Sequence, residues 1–131
     1  MKKRILIVDD DRDIANALEM RLKRRGFDTI RETGGENGLQ RAIKDRPDFI
    51  ILDLMMPQMD GTSTAVSLKE NEQTKDIPVV FFTALISPEE ESLDASKSNH
   101  IVSKLNDWNS IMDRISGYLE SDRAPSTPSA E

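Results

Sequence analysis

Residues 5–11 read ILIVDDD, four apolar residues followed directly by three aspartates. A wholly apolar run of this length is typical of a strand that is covered on both faces, as the strands of parallel sheets are. In open parallel sheets, ligands bind outside the carboxyl ends of the strands. The stretch therefore predicts a strand of an α/β sheet with acidic side chains at its functional edge.

The rest of the chain repeats this alternation of strand and helix patterns. Short runs predict four more strands at residues 27–31, 49–52, 79–82 and 101–102, and the polar run at 27–31 is typical of an edge strand. Amphipathic segments predict five helices, which begin after Asp11, around Gly35, after Gly61, after Pro88 and at Trp108. Five strands alternating with five helices predict an open, mostly parallel sheet with helices on both faces.

Single residues predict where some helices begin and end. Asp11 can cap the first helix, and Gly26 is expected to end it at the usual glycine position. Pro47 stops the second helix. The fourth helix, over residues 88–99, carries few apolar residues, so we expect it to be weakly anchored and mobile.

Length and composition bound the class of protein. The 131 residues are enough for one domain, which we expect to span residues 3–120. Residues 121–131 consist of Ser, Pro, Ala and charged residues, which predicts a disordered tail or the stub of a linker. The net charge of −6 argues against direct binding to nucleic acid.

Several other classes of function are disfavoured by what the chain lacks. It has no cysteine, which excludes disulfide scaffolds and thiolate zinc sites, and its one histidine argues against a multi-histidine metal centre. The apolar run near the start is only four residues long, too short for a secretory signal or a membrane span. A soluble, cytoplasmic protein is therefore expected.

Chemically useful side chains follow four of the five predicted strands. Asp9 and Asp10 follow the first strand, Asp53 the third, Thr83 the fourth and Lys104 the fifth. If the strand order is 2-1-3-4-5, the first and third strands are neighbours and three carboxylates converge at one edge. An aspartate at a strand end more often serves only as a helix cap or turn residue, but the joint arrangement favours a site.

Converging carboxylates need a proton or a cation. Two like charges about 4 Å apart repel by roughly 4 kcal/mol at an effective dielectric constant of about 20. Ligand sets made only of oxygen suit a hard divalent ion such as Mg²⁺. With such an ion bound, one carboxylate can act as a nucleophile toward a phosphoryl group, while a lysine and a hydroxyl stabilise the charge on the transferred oxygens.

Three motifs resemble the receiver domain of two-component response regulators. They are ILIVDDD at residues 5–11, ILDLMMPQMDG at residues 51–61 and FFTA at residues 81–84. The resemblance covers about residues 3–119. It implies a flavodoxin-like (βα)5 fold, a doubly wound parallel sheet of five strands in the order 2-1-3-4-5.

The resemblance also implies roles for individual residues. Asp53 would be the phosphoacceptor. The metal would be Mg²⁺, held by Asp10 directly, by Asp9 through water or directly, by Asp53, and by the backbone carbonyl of Met55. Thr83 would donate its hydroxyl to the phosphoryl group.

The remaining implied roles concern the surroundings of the acceptor. Lys104 would pair with a phosphoryl oxygen. Pro57 and Gly61 would shape the loop beside the site, and the small Ala84 would leave access to the aspartate.

Three positions depart from the family pattern. Ile101 stands where the family usually has an aromatic switch residue, and Leu105 stands where the lysine is usually followed by proline. A cis bond before a non-proline residue costs about 2.5–4 kcal/mol, so a trans bond is predicted after Lys104. The segment at residues 96–100 is polar and lacks the usual Gly-Ala.

The leading hypothesis is a stand-alone receiver. It would accept a phosphoryl group from a histidine kinase or a histidine phosphotransfer protein and signal by binding a partner protein, without being a conventional enzyme. One alternative is a receiver-like adaptor that acts without phosphorylation, suggested by Ile101. The other is a small Mg²⁺-dependent phosphohydrolase with an aspartyl intermediate, which Asp9-Asp10-Asp11-Arg12-Asp13 matches poorly. We also expect slow loss of phosphate, because Met55 and Leu85 beside the site cannot orient water.

Overall fold

The structure is a computed structural model that describes residues 2–56, 61–93 and 100–123. Strands and helices alternate in it along the chain. In order they are β1 (Arg4–Val8), α1 (Arg12–Arg24), β2 (Asp28–Glu32), α2 (Gly35–Asp45), β3 (Phe49–Leu52), α3 (Gly61–Glu70), β4 (Val79–Thr83), α4 (Pro88–Leu93), β5 (His100–Ser103) and α5 (Trp108–Arg123). The predicted succession of strands and helices is confirmed.

All five strands are parallel and form one sheet in the order β2-β1-β3-β4-β5. This is the strand order that the resemblance implied, and the polar strand β2 lies at an edge as predicted. The order reverses between β1 and β3, where Val8 pairs with Leu52. The residues that follow these two strands are therefore neighbours at the carboxyl edge of the sheet.

Alternate residues of the strands pack into two separate hydrophobic cores. Ile5 and Ile7 of β1 face the core that α1 and α5 cover, with Leu18 and Ile115 as fully buried members. Leu6 and Val8 face the opposite core, which α2 and α3 cover. Because successive side chains of a strand point to opposite faces, an entirely apolar run such as β1 is what a sheet with two covered faces requires.

The ends of α1 follow the predicted chemistry. The Asp11 carboxylate accepts hydrogen bonds from the backbone N–H groups of Asp13 and Ile14, which caps the helix. At the other end Gly26 has φ +95°, in the left-handed region where glycine carries no steric penalty. Phe27 N–H donates to the carbonyl of Leu22, which completes a Schellman ending.

The sequence-based boundaries differ from the structure mainly at element ends. Helix α5 continues to Arg123, three residues past the expected end of the domain. Pro57, residues 94–99 of the expected fourth helix and most of the expected tail lie outside the described residues. The bond after Lys104 is trans, as predicted, since no cis peptide occurs in the described ranges. Within those same ranges, no helix has the length and apolar character needed to cross a bilayer.

Candidate functional site

The carboxyl edge of the sheet collects the acidic side chains. Asp9 directly follows β1 and Asp53 directly follows β3, and these two residues are 3% and 4% exposed. Asp10 is exposed. One carboxylate oxygen from each of the three lies within 4.8 Å of the others. The predicted convergence of the three carboxylates is therefore present.

Lys104 bridges two of these carboxylates. Its ammonium nitrogen Nζ lies 2.8 Å from Asp9 Oδ2 and 3.1 Å from Asp53 Oδ2, and the lysine side chain is 7% exposed. The lysine directly follows β5, two strands away from β3. A buried cation therefore already offsets part of the negative charge that the strand ends bring together.

The electrostatics of the pocket follow from burial. Burial raises the pKa of Asp9 from 3.8 to about 6; the hydrogen bond and charge of Lys104 oppose this rise, and the charge of Asp53 adds to it. Burial also opposes the charge of Lys104, but the hydrogen bonds and charges of Asp9 and Asp53 outweigh it, so the pKa of Lys104 is raised. The contacts of Asp9 with Lys104 therefore do not fully offset the cost of burying its charge.

Backbone groups orient both buried aspartates. Asp9 Oδ1 accepts a hydrogen bond of 2.9 Å from the N–H of Asp11. Asp53 Oδ1 accepts one of 3.1 Å from the N–H of Met55, a residue whose side chain is 53% exposed. Each carboxylate thus keeps its Oδ2 atom turned to Lys104 while its Oδ1 atom is held by the loop that follows the strand.

Gly61 lets the loop after β3 close tightly against the end of that strand. Its N–H donates to the carbonyl of Leu54, and α3 begins at this residue. A Cβ atom added at Gly61 would lie 2.2 Å from the backbone oxygen of Asp53 and 2.6 Å from the Cα of Leu54. No side chain fits in that space, which is a physical reason for the glycine that the resemblance singled out.

Thr83 ends β4 beside the pocket and is fully buried. Its hydroxyl oxygen accepts a hydrogen bond of 3.1 Å from the N–H of Leu85. Its carbonyl accepts a hydrogen bond of 2.8 Å from the N–H of Lys104, which fixes the ends of β4 and β5 relative to each other. The loop after β4 leaves Ala84 and Leu85 exposed.

Sequence reasoning missed the aromatic support beneath Lys104. The ammonium group lies 5.5 Å from the ring centroid of Phe82, and that ring makes a tilted contact of 6.3 Å with Trp108. Arg21 of α1 lies over the Trp108 ring at 4.3 Å. Strand alternation could have placed Phe82 on the same face as Val80, but pairs so far apart in the chain carry no local signature.

The donor chemistry of the pocket fits Mg²⁺. Asp9, Asp10 and Asp53 could act as its charged ligands, since all three offer oxygen, the donor that this ion prefers. The pKa of Asp9 is raised mainly because the carboxylate is buried, and a bound cation would favour its charged form.

Comparison with known families identifies the chain. A family model described as "Response regulator receiver domain" matches residues 5–116. The chain belongs to this family of signalling domains, as its motifs predicted.

Two curated relatives illustrate the similarity. The chain is 34% identical over 125 residues to the "DNA-binding dual master transcriptional regulator RpaA" of Synechocystis sp.. The matched region covers 93% of this chain and 52% of that protein. It is 38% identical over 84 residues to the "Alkaline phosphatase synthesis transcriptional regulatory protein PhoP" of Bacillus subtilis. Here the matched region covers 64% of this chain and 34% of that protein. The chain therefore spans about half or less of the length of these relatives.

Solved structures show the same fold. A response regulator from Desulfuromonas acetoxidans matches with a TM-score of 0.75 at 28% identity and covers 91% of this chain and 98% of that one. The N-terminal domain of a response regulator receiver protein from Methanoculleus marisnigri matches with a TM-score of 0.68 at 32% identity, covering 88% and 94%. The flavodoxin-like architecture is confirmed by these neighbours and by the strand order.

Proposed function

We propose that this chain accepts a phosphoryl group on Asp53 from a phosphohistidine donor, and that the modification switches binding to a partner protein. The donor would be a histidine kinase or a histidine phosphotransfer protein. The observation that carries the proposal is the position of Lys104 Nζ, 2.8 Å from Asp9 and 3.1 Å from Asp53, beside three converging carboxylates. Membership of the receiver family supports it.

The reaction needs little beyond alignment and charge compensation. A carboxylate oxygen of Asp53 forms a bond to phosphorus while the phosphorus–nitrogen bond of the donor breaks, and the electron pair of that bond leaves with the imidazole. Lys104, already beside Asp53 Oδ2, would pair with an oxygen of the transferred group. The hydroxyl of Thr83 would exchange its present role as acceptor for that of a donor to a second oxygen.

We propose that Mg²⁺ is the required cofactor. Asp9, Asp10 and Asp53 would hold it with their carboxylates, and the carbonyl of Met55 would complete the protein's share of the ligands. When bound, the ion would neutralise charge on the phosphoryl oxygens. The protein's own contribution is to keep two of these carboxylates buried and oriented by backbone N–H groups.

Labelling with a small acyl phosphate tests the proposal. In the presence of Mg²⁺ the protein should gain the mass of one phosphoryl group in a bond that is stable in acid and labile in base. Asp53→Asn should abolish the gain, and Asp113→Asn, an exposed aspartate of α5, should leave it unchanged. Labelling of Asp53→Asn to the same extent as the parent would overturn the assignment.

A phosphorylation-independent adaptor is the second candidate, favoured by one observation. Ile101 is half-buried in β5 and cannot act as an aromatic switch. Beryllofluoride, which mimics a phosphoryl group on aspartate, distinguishes the two candidates. An adaptor of this kind would show the same partner binding with and without it, whereas the proposed switch would not.

We propose further that this chain does not contact DNA directly. The name of the Synechocystis relative describes a DNA-binding protein, but this chain spans about half of that relative. Its net charge of −6 opposes association with a phosphate backbone. Salt-dependent binding of this chain to duplex DNA in a mobility-shift assay would contradict the expectation.

A further inference from the structure

Glu91 of α4 is a buried carboxylate outside the acidic pocket. It is 3% exposed, whereas its neighbours Glu89 and Glu90 are exposed. Glutamate is almost never fully buried unless it is paired. Three consecutive glutamates in the sequence carry no signal that distinguishes this one, so only the structure singles it out.

Among the described residues, the hydrogen-bond donors to the Glu91 carboxylate come from Ser103 at the end of β5 and from Asn106 in the turn that follows it. Glu91 Oε1 accepts a hydrogen bond of 3.2 Å from the N–H of Ser103 and one of 2.7 Å from the side-chain amide of Asn106. The same amide donates to the carbonyl of Ser103 at 3.1 Å. The Glu91 carboxylate is thus hydrogen-bonded to residues on both sides of Lys104.

The second oxygen of Glu91 faces α5. Oε2 lies 2.8 Å from Nε of Arg114, but no donor among the described residues meets hydrogen-bond geometry at that oxygen. The contact is therefore an ion pair rather than an aligned hydrogen bond. It keeps the buried charge of Glu91 compensated and links α4 to α5.

Further bonds join the same turn to the last residue of β4 and to the segment between β4 and α4. The hydroxyl of Ser103 donates to the carbonyl of Ile86 at 2.6 Å, and the N–H of Lys104 donates to the carbonyl of Thr83 at 2.8 Å. The N–H of Leu105 donates to the Ser103 hydroxyl at 3.1 Å. Proline in place of Leu105 could not make this last bond, because proline has no N–H.

We propose that Glu91 is a positioning residue that sets the place of Lys104 beside Asp53 and thereby couples the loading of Asp53 to the anchoring of α4. The proposal rests on the proposed function, since it concerns the lysine that would pair with the phosphoryl group. Coupling of this kind is reciprocal. A phosphoryl group on Asp53 that pairs with Lys104 also fixes the turn after β5. Because Glu91 is hydrogen-bonded to that turn, α4 is then fixed as well.

The main test compares Glu91→Ala with Glu89→Ala, which removes an exposed glutamate from the same helix. Glu91→Ala should lower both the rate of labelling by an acyl phosphate and the affinity for beryllofluoride by about tenfold, the equivalent of one hydrogen bond to a charged group. Affinity for Mg²⁺ alone should not fall, because Lys104 is not a metal ligand and its ion pairs with Asp9 and Asp53 compete with the ion. Glu91→Gln, which keeps an acceptor oxygen, should recover most of the loss, and Glu89→Ala should match the parent.

Two further measurements separate positioning from a general structural role. In a Lys104→Met background, Glu91→Ala should change the residual rate by less than about twofold, because the glutamate acts through the lysine. In the parent protein, beryllofluoride should increase the protection of residues 88–93 from hydrogen exchange. That increase should vanish in Glu91→Ala.

Asn106→Ala keeps the proposal testable if Glu91→Ala does not fold. It removes one donor to Glu91 from a half-buried turn residue and should reduce labelling and beryllofluoride binding in the same direction. A folded Glu91→Ala or Asn106→Ala protein that labels like the parent would overturn the proposal, as would equal losses in Mg²⁺ and beryllofluoride affinity. A parent protein that does not label at all would instead overturn the proposed function, while looser α4 amides in unloaded Glu91→Ala would still support the anchoring role.

Discussion

Lys104 Nζ lies closer to Asp9 Oδ2, at 2.8 Å, than to Asp53 Oδ2, at 3.1 Å. The lysine therefore pairs at least as closely with a proposed metal ligand as with the proposed acceptor. In the absence of other cations it offsets the charge of both carboxylates at once, and burial still raises the pKa of Asp9 to about 6. A divalent ion would add positive charge beside both carboxylates and free the lysine to face a phosphoryl oxygen.

Stability in the absence of metal should depend on pH through Asp9. The pKa of Asp9 is about 6 in the folded protein and 3.8 ordinarily, so the folded state binds the proton more tightly. The resulting stabilisation is complete below about pH 4 and is lost as pH rises through about 6. Urea unfolding with a chelator present should show this fall, and Asp9→Asn should flatten it and be more stable by about 3 kcal/mol above pH 7.

The exposed Asp13→Asn is the matched control for that series. It should follow the parent curve at every pH. Parallel curves for the parent and Asp9→Asn across the interval from pH 4 to pH 7 would contradict the assignment of the shift to Asp9.

Gly61→Ala should disturb both the fold and the site. The added Cβ would lie 2.2 Å from the backbone oxygen of Asp53, so the loop after β3 must move. We expect a loss of about 2 kcal/mol in the free energy of unfolding and slower labelling of Asp53. Urea unfolding and acyl phosphate labelling measure the two effects.

Gly117→Ala, in α5, is the control for Gly61→Ala. A Cβ there meets nothing within 4 Å, and alanine favours a helix, so the variant should be more stable by about 0.5–1 kcal/mol. A folded Gly61→Ala protein with parental stability and labelling would show that the close approach at Asp53 is unimportant.

The lifetime of the phosphorylated form should depend on two exposed apolar side chains near the pocket. Met55 and Leu85 are 53% and 55% exposed and offer no hydrogen bond to an attacking water. The double variant Met55→Gln, Leu85→Gln should lose phosphate faster by roughly tenfold, well below what a positioned general base contributes. Decay is followed by mass spectrometry after removal of the donor.

Val66→Gln provides the comparison for that experiment. Val66 is 51% exposed on α3, so the substitution changes a similar surface away from the two loops. It should leave the decay rate unchanged. An unchanged rate in the double variant would contradict the role given to Met55 and Leu85.

Most of the fold could be predicted from local patterns. The apolar runs of β1 and β3 are buried on both faces. The aspartates that follow them indicate the edge of the sheet where ligands bind in folds of this kind. Asp11 and Gly26 mark the ends of α1 because their chemistry acts within a few residues. Signals of this kind act over short distances, so one sequence is enough to read them.

The contacts that sequence reasoning missed join distant parts of the chain. Glu91 meets Asn106 and Arg114, and Phe82 lies between Lys104 and Trp108. No spacing rule relates these positions, since their proximity follows from how the helices pack on the sheet. The convergence of Asp9, Asp10 and Asp53 was easier to predict because parallel strands bring their carboxyl ends to one edge.

Calorimetric titration of Mg²⁺ into the purified protein at neutral pH tests the central claim most directly. The account predicts the uptake of one ion per chain, markedly weaker uptake by Asp10→Asn, and unchanged uptake by Asp13→Asn. The affinity should fall as pH drops below about 6, because a proton then competes for Asp9. Absence of any Mg²⁺ uptake by the parent protein, even at high ion concentrations, would contradict the account.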